Sequence, residues 1–139
     1  MTGPDGQAPV RPMMRRDRAS AALGMVVEKD LPGDAVVSMP VRADMTNGFG
    51  LTHGGLVFAL ADTAFAIACN EDEQVTVASG ADIAFLKPTS AGQVLTAHAV
   101  RRVRRGRNGI YDVTVTDETG DVVAEMRGRS FATDRPQTG

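Results

Sequence analysis

The sequence predicts an α+β domain in which one curved antiparallel sheet wraps around a single long central helix. The segment from Leu56 to Cys69, LVFALADTAFAIAC, is apolar except for Asp62, and a helix that is apolar on nearly all sides must be covered nearly all round. Around it the chain reads as short strands, two before the helix and about four after it. Strands that flank one apolar helix favour a single layer of sheet with the helix inside its curve.

Length and composition are those of one globular domain. The chain has 139 residues, 42% of them hydrophobic, and a net charge of −2, so neither nucleic acid nor an anionic membrane is expected as a partner. The single cysteine, Cys69, allows no intramolecular disulfide and favours a reducing, cytoplasmic setting. The polar N-terminus is not expected to act as a signal peptide, and the apolar run of 14 residues is too short to span a membrane.

The elements before the helix are marked by their turn residues. We predict a disordered tail at 1–12, where Gly and Pro are frequent, then a single domain over 13–135 and a loose end at 136–139. Gly24 is expected to end a short helix over Met13–Leu23. The next elements are two strands and a loop, at Gly24–Lys29, Ala35–Val41 and Asp44–Thr52.

After the central helix, which is expected from about Gly54 to Asn70, apolar and polar residues alternate over four stretches separated by turns. This pattern predicts a meander of strands, each with one face toward the core. The four strands are expected at Val75–Phe85, Val94–Val103, Tyr111–Thr116 and around Ala124–Arg127.

Asp62 is the leading candidate for catalysis. An unpaired carboxylate is costly to bury, and buried ionisable groups in clefts are often functional. Just before the helix, Gly54 and Gly55 let a ligand approach the backbone closely, and the first N–H groups of a helix have no intrahelical partner. Such a helix start suits an oxyanion that forms during a reaction. Each feature also has a purely structural explanation. Gly54 and Gly55 could form only a tight turn into the helix, and the Asp62 carboxylate could be satisfied by a backbone or hydroxyl partner.

Three other polar residues are further candidates. Asn47 in the loop could orient water or substrate, although an Asn-Gly pair also forms turns by itself. His53 could act as a base or only support the loop, and Ser79, on a predicted strand, could line the site. Only two histidines are present, and no Cys, His or carboxylate cluster has ligand spacing, so no metal is expected.

A basic segment ends the second strand after the helix. The run from Arg101 to Arg107 holds five arginines in seven residues. It is either a solvated strand end and turn or a clamp for a phosphorylated carrier, because guanidinium groups bind phosphate in a bidentate manner.

The stretch from Asn47 to Ala66, NGFGLTHGGLVFALADTAFA, closely resembles the signature of the PaaI-type phenylacetic acid degradation thioesterases, a subgroup of the hotdog-fold acyl-CoA thioesterases. The resemblance continues through Ala78-Ser79, Phe85–Pro88 and Gly109–Val113, and covers roughly residues 19–131. Its pattern N-x5-H-G-G-x6-D is specific for the subgroup and not only for the fold. The resemblance implies a hotdog fold, which is the sheet-around-helix arrangement predicted from the residues.

The resemblance also implies a hydrolase that cleaves an acyl-CoA, of a phenylacetyl type, to the free acid and coenzyme A. No metal is implied, and no cofactor beyond the CoA of the substrate. Matched by position, Asp62 is the catalytic carboxylate, acting as nucleophile or general base, and the Gly55 N–H polarises the thioester carbonyl. Asn47 helps to place the reacting groups and His53 supports the loop. The residues expected to bind the substrate are Gly54, Ser79, Lys87, Arg105, Arg107 and Asn108.

Two other functions stay open from the sequence. A hotdog hydroxyacyl dehydratase would need His53 as an essential base. A non-catalytic acyl-CoA binding or sensor module would have no need of Asp62.

The spacing of Gly55 and Asp62 predicts an oligomer. Seven residues of helix separate the two groups by about 10.5 Å, whereas both must lie within about 3–4 Å of the reacting atoms. One helix cannot supply both groups to one thioester, but two helices packed antiparallel about a two-fold axis can. We therefore expect a homodimer with shared sites, and the resemblance implies that dimers pair into a homotetramer.

Overall fold

The computed structural model describes residues 11–137, so residues 1–10 of the predicted tail and the last two residues lie outside the described part. The helices are α1 (Pro12–Arg15), α2 (Arg18–Ala22) and α3 (Gly54–Cys69), with a 3₁₀ turn at Ala43–Met45. The strands are β1 (Val26–Leu31), β2 (Asp34–Pro40), β3 (Gln74–Phe85), β4 (Val94–Arg105), β5 (Asn108–Thr116) and β6 (Val122–Pro136). No helix within residues 11–137 is long and apolar enough to cross a membrane.

The long helix α3 packs across the inner face of the sheet, as its apolar sequence predicted. Its alanines bring the backbone close to the strands, and its larger side chains fill the space between them. The Phe65 ring lies over Gly128 of β6, where a Cβ would come within 2.7 Å of the ring. The same ring meets Tyr111 of β5, with centroids 5.6 Å apart. These contacts set the rotation of α3, and so decide which of its residues point away from the sheet.

The six strands form one antiparallel sheet in the order β1-β2-β4-β5-β6-β3. The predicted meander is confirmed for β4, β5 and β6, but it was wrong for β3, which pairs with β6 at the far edge. The reason is the crossing helix: α3 carries the chain from β2 over the sheet to that edge, and residues 86–93 bring it back so that β4 pairs with β2. The outer side of β3 has no strand partner within the described chain.

The N-terminal region differs from the prediction in two ways. The helix predicted over Met13–Leu23 is two short helices, because Asp17 accepts the Ser20 N–H at 2.9 Å and begins a new helix. Arg11, which was placed in the disordered tail, belongs to the fold instead. Its guanidinium donates to the carbonyl oxygens of Asn70 and Ile67, both at 2.5 Å, where α3 ends.

The C-terminal end is also held further than predicted. β6 continues to Pro136, within the expected loose end at 136–139. The Gln137 N–H then donates to the Glu73 carbonyl at 2.7 Å, and its side-chain amide donates to the Asp72 carbonyl at 2.7 Å. The last part of the chain that the structure describes is therefore bound to the loop between α3 and β3.

Candidate active site

The start of α3 is capped by the histidine that precedes it. His53 Nδ1 accepts the Gly55 N–H at 2.9 Å, and the His53 N–H donates to the Met45 carbonyl at 2.8 Å. A Cβ on Gly55 would lie 3.1 Å from that ring nitrogen, so the glycine leaves room for the imidazole. His53 is thus an N-cap, which agrees with the loop-supporting role that the resemblance implied.

This hydrogen bond also restricts the chemistry of His53. Because Nδ1 accepts an N–H, the neutral ring carries its own proton on Nε2. While this hydrogen bond is made, neither ring nitrogen has a free lone pair with which to take a proton from a substrate. The geometry disfavours His53 as a general base.

Gly54 presents the backbone N–H that is left open at the helix start. No acceptor lies within hydrogen-bond distance of this group in the described chain. The Phe85 ring lies on the same side, 3.4 Å from the place that a Cβ of Gly54 would take. Both residues line a pocket of about 280 Å³. The other lining residues include Asn47, Leu51, Val57, Leu86 and Lys87.

Asn47 holds the loop that forms one wall of this pocket. Its Oδ1 accepts the N–H groups of Phe49 and Leu51 at 2.9 and 3.1 Å, and its own N–H donates to the Leu51 carbonyl at 2.7 Å. The side-chain NH₂ donates to nothing among residues 11–137. Asn47 therefore combines the turn-forming role with an amide donor that remains available to a ligand.

His53 and Gly55 lie on the other side of the helix start. They line a second pocket of about 380 Å³ together with Asp44, Met45, Thr46 and Leu56. The adjacent glycines 54 and 55 therefore face two different pockets, because successive helix residues point about 100° apart. The predicted helix-start residues are thus brought together around one helix end.

Asp62 lies two turns further along α3 and is half-buried. Its carboxylate has no hydrogen-bond or ionic partner in the described part of the chain. Burial raises the pKa of Asp62, and the nearby carboxylate of Asp17 raises it further. Gly55, Phe58, Asp62 and Ala66 keep some exposure and recur every three or four residues, so they form a stripe facing away from the sheet.

The structure does not bring Gly55 and Asp62 together within one chain. Both belong to the same continuous helix, so their separation along its axis is the predicted value of about 10.5 Å. A thioester bound by one group cannot reach the other in the same copy. The stripe that carries both groups is the face of α3 that the sheet leaves uncovered.

Ser79 lies in a β-bulge on the edge strand β3. The register of β3 against β6 shifts between Ala78 and Gly80, so Ser79 is the extra residue. Its hydroxyl donates to the Arg129 carbonyl at 3.1 Å, and the residue is exposed. Ser79 does not line either pocket at the helix start.

The basic candidates fall into two groups at opposite ends of the sheet. The Lys87 ammonium, near the helix start, pairs with Asp117 at 2.6 Å and Asp121 at 2.7 Å, which ties the connection after β3 to the turn after β5. Arg105 and Asn108 flank the β4–β5 turn, at the far end of the 12-residue strand β4, which is about 36 Å long. They are exposed and make no side-chain bond within residues 11–137.

Arg107 at the same turn is already engaged. Its guanidinium donates to the Ala132 carbonyl at 2.8 Å, pairs with the exposed Asp134 at 2.5 Å and lies 6.0 Å from the Phe131 ring centroid. Ion pairs at an exposed surface contribute little, so an anionic ligand could compete for this group.

Two features of the site were missed from the sequence. Phe85 was placed on a strand, and nothing in its local pattern brings it against Gly54. Asp17 lies near Asp62, although 45 residues separate them. The spacing of Asp17 and Ser20 is that of a helix cap, which could have indicated the start of α2 but not its position against α3.

A curved antiparallel sheet around one helix, with glycines at the helix start and a lone carboxylate further along it, is the arrangement of a hotdog-fold thioesterase. The model of the Thioesterase superfamily matches residues 49–124, more than half of the chain, and the chain belongs to this superfamily. Acyl-coenzyme A thioesterase PaaI of Escherichia coli K12 is 43% identical over 118 residues, which cover 85% of this chain and 84% of that protein.

Solved structures show the same relation. The structure of the E. coli PaaI protein from the phenylacetic acid degradation operon superimposes with a TM-score of 0.88 and 41% identity, over 91% of each chain. A hypothetical thioesterase from Streptococcus pneumoniae, solved with coenzyme A, superimposes with a TM-score of 0.76 and 25% identity, over 81% of this chain and 91% of that one. These findings confirm the predicted family, the hotdog fold and the enzyme class, a hydrolase of the acyl-CoA thioesterase type.

Proposed function

We propose that this enzyme hydrolyses an aromatic, phenylacetyl-type acyl-CoA to the free acid and coenzyme A, with Asp62 as the reacting carboxylate. The state of Asp62 carries the proposal: it is half-buried, faces away from the sheet and has no partner in residues 11–137. A carboxylate in this state costs free energy, which a purely structural residue would not need to retain. The similarity to a protein of the phenylacetic acid degradation operon supports the acyl group.

Asp62 can act by two routes on the same bond. In direct attack, a carboxylate oxygen bonds to the thioester carbon, the C–S bond breaks, and CoA leaves as a thiolate that takes a proton; water then cleaves the acyl anhydride. In the general-base route, Asp62 takes a proton from water as the water oxygen attacks the carbon, and the proton passes to the leaving sulfur. Both routes require the anion, so activity falls as the pH falls through the pKa of Asp62.

The helix start supplies donors for the oxyanion that forms on the thioester oxygen. The Gly54 N–H is open, while the Gly55 N–H donates to His53. We propose that the entering carbonyl oxygen replaces His53 Nδ1 as the acceptor of Gly55, with the helix dipole adding to the stabilisation. Asn47 lines the same pocket as Gly54, and its free amide can orient the substrate.

The site is proposed to be shared by two copies of the chain in a homodimer. The two groups that must converge on one carbonyl stand about 10.5 Å apart on one helix, so they have to come from different copies. The uncovered stripe of α3 and the unpaired outer edge of β3 are the surfaces that a second copy can cover. Pairing of dimers into a homotetramer stays a prediction, as does the cytoplasmic setting.

The CoA phosphates are proposed to meet the β4–β5 turn. Lys87 is less suited than predicted, because its ammonium is held by two carboxylates. Arg105 and Asn108 are exposed at the turn, which lies at the end of the sheet away from the helix start of its own chain. Antiparallel packing of two copies brings that end of one chain toward the helix start of the other, where the thioester would lie.

The test is a comparison of Asp62→Asn with the native enzyme on a panel of acyl-CoA esters, with CoA release followed by a thiol reagent. The kcat of the variant should fall at least about 100-fold, the scale of losing an acid–base group. Its free energy of unfolding should not fall, because the half-buried charge has no partner to lose. Glu125→Gln, an exposed carboxylate on β6, is the matched control and should leave kcat unchanged.

The outcomes separate the proposed function from its alternatives. Near-normal kcat in Asp62→Asn would remove this residue from the mechanism. No CoA release from any ester by the native protein, together with tight ester binding, would identify an acyl-CoA binding module. A preference for straight-chain over phenylacetyl esters would refute the aromatic substrate and leave the thioesterase chemistry intact.

A further inference from the structure

A chain of side-chain hydrogen bonds connects the N-terminal region to the middle of α3. Ser20 Oγ donates to Asp17 Oδ2 at 2.6 Å and lies 2.9 Å from Thr63 Oγ1. An ionised carboxylate only accepts hydrogen bonds, so the Ser20 hydroxyl hydrogen points to Asp17. Ser20 then accepts from the Thr63 hydroxyl. The chain has one direction, from Thr63 through Ser20 to the carboxylate of Asp17.

The hydrogen-bond chain ends at Thr63, beside the proposed catalytic residue Asp62. Thr63 is the neighbour of Asp62 in sequence, and both Ser20 and Thr63 are buried. Asp17 is therefore a negative charge held in place near α3. Two hydrogen bonds, both made by the Ser20 hydroxyl, link it to Thr63, the helix residue next to Asp62. The second carboxylate oxygen of Asp17 accepts the Ser20 N–H at 2.9 Å, so both oxygens are held.

Asp17 is the charged group of the described chain that acts on Asp62. The pKa of Asp62 is raised first by burial and then by Asp17. On the helices before β1, the nearby arginines are exposed, where solvent screens their charges; they are Arg15, Arg16 and Arg18. Near the end of α3, burial raises the pKa of the Cys69 thiol to about 12, so it is neutral. Of the acidic groups there, Glu71 is ion-paired with Arg101 and Asp30 with Arg11.

We propose that Asp17 is a positioning residue for hydrolysis, which keeps the Asp62 carboxylate basic through its fixed negative charge. This inference rests on the proposed role of Asp62. A like charge disfavours the anion of its neighbour, and a carboxylate that holds a proton more tightly is also the stronger base toward water. The N-terminal helix pair thereby tunes the reactivity of a residue on the central helix.

The sign of the effect follows from this. Asp62 acts as an anion, so kcat/KM falls as the pH falls through the pKa of Asp62. Without the charge of Asp17 that pKa is lower, and the acid limb of the pH profile moves to lower pH. At the foot of the limb the variant should therefore be faster than the native enzyme, while on the plateau its weaker base should make it slower.

The test is Asp17→Asn, which removes the charge and keeps an N-cap residue of the same shape. We expect kcat/KM at the foot of the acid limb to rise about twofold. This is the size of effect expected when a like charge several ångströms from a carboxylate is removed and the dielectric between them is close to that of water. The matched control is Ser20→Ala, which breaks both hydrogen bonds of the chain and leaves the charge of Asp17 in place. Its acid limb should stay where it is in the native enzyme, even if its thermal stability falls.

A direct titration of the Asp62 carboxyl by carbon-13 NMR, in the native protein and in both variants, separates this inference from the proposed function. A lower titration midpoint in Asp17→Asn, with an unmoved midpoint in Ser20→Ala, supports the inference. An unmoved midpoint in Asp17→Asn, or an equal change in both variants, overturns it. A lower midpoint that leaves the kcat/KM profile unmoved would show that the charge acts on Asp62 but that Asp62 does not set the rate, which refutes the proposed role of Asp62.

Discussion

Two inactive variants should restore activity when their subunits mix, if each active site is shared between two copies of the chain. The first variant, Asp62→Ala, removes the carboxylate. The second, Gly55→Pro, removes the N–H at the second residue of α3, in the turn of a helix where proline is tolerated. In either homodimer, both sites then lack one of the two groups.

The size of the recovery follows from the symmetry of a dimer. Equimolar subunits that exchange freely place about half of all dimers in the mixed form. In a mixed dimer, one site combines the intact Gly55 of the first variant with the intact Asp62 of the second, and the other site lacks both groups. About one site in four is complete, so kcat per total site should recover to about a quarter of the native value.

The assay follows CoA release after mixing, with native mass spectrometry of a mass-tagged variant to prove that subunits exchange. Gly55→Ala is the matched control: its Cβ would come within 3.1 Å of His53, but the N–H remains. It should keep most of its activity without any partner. Absence of recovery despite complete exchange would refute the shared site, and a Gly55→Ala enzyme as inactive as Gly55→Pro would refute the N–H as the essential group.

Three further predictions concern the sheet, the CoA contact and the ion pairs of Lys87. Gly128→Ala places a Cβ 2.7 Å from a ring of α3 and should lower the free energy of unfolding by about 1–3 kcal/mol in urea titration, whereas Gly48→Ala, with open space around it, should be neutral. Arg105→Ala should raise KM for the CoA ester with little change in kcat, and the effect should shrink as salt is added. An unchanged KM in the Arg105 variant would show that this arginine is only a solvated surface residue. Lys87→Met should instead lower the free energy of unfolding and leave KM unchanged, because its ammonium is paired with Asp117.

The central helix and its start were predictable because their signals are local. An apolar run of 14 residues with one carboxylate, entered through His-Gly-Gly, is longer than an ordinary buried strand and indicates a buried helix. The structure confirms α3 at Gly54–Cys69, one residue shorter than expected. The alternating strands were found from their own local pattern, within three residues at their ends except for β6, which continues to Pro136, nine residues beyond the predicted Arg127.

The order of the strands was not predictable in the same way. Apolar and polar alternation shows that a strand has a buried face, but it does not show which strand lies beside it. β3 follows α3 in sequence and pairs with β6, whose paired residues lie about 40 to 60 positions later. That pairing depends on where the crossing helix delivers the chain, which is a property of the whole sheet.

The sequence by itself determined the class of this protein, because the helix, the glycines at its start and Asp62 stand within a short segment whose pattern belongs to one family. Only the tertiary structure decided which groups at the site are available. It showed that the Gly55 N–H is held by His53 and that the Lys87 ammonium is held by Asp117. It also showed that Asp17 is linked through the Ser20 hydroxyl to Thr63 in the middle of α3. The physical reason is range: periodicity and capping act over a few residues, while hydrogen bonds and ion pairs join groups that folding brings together from distant parts of the chain.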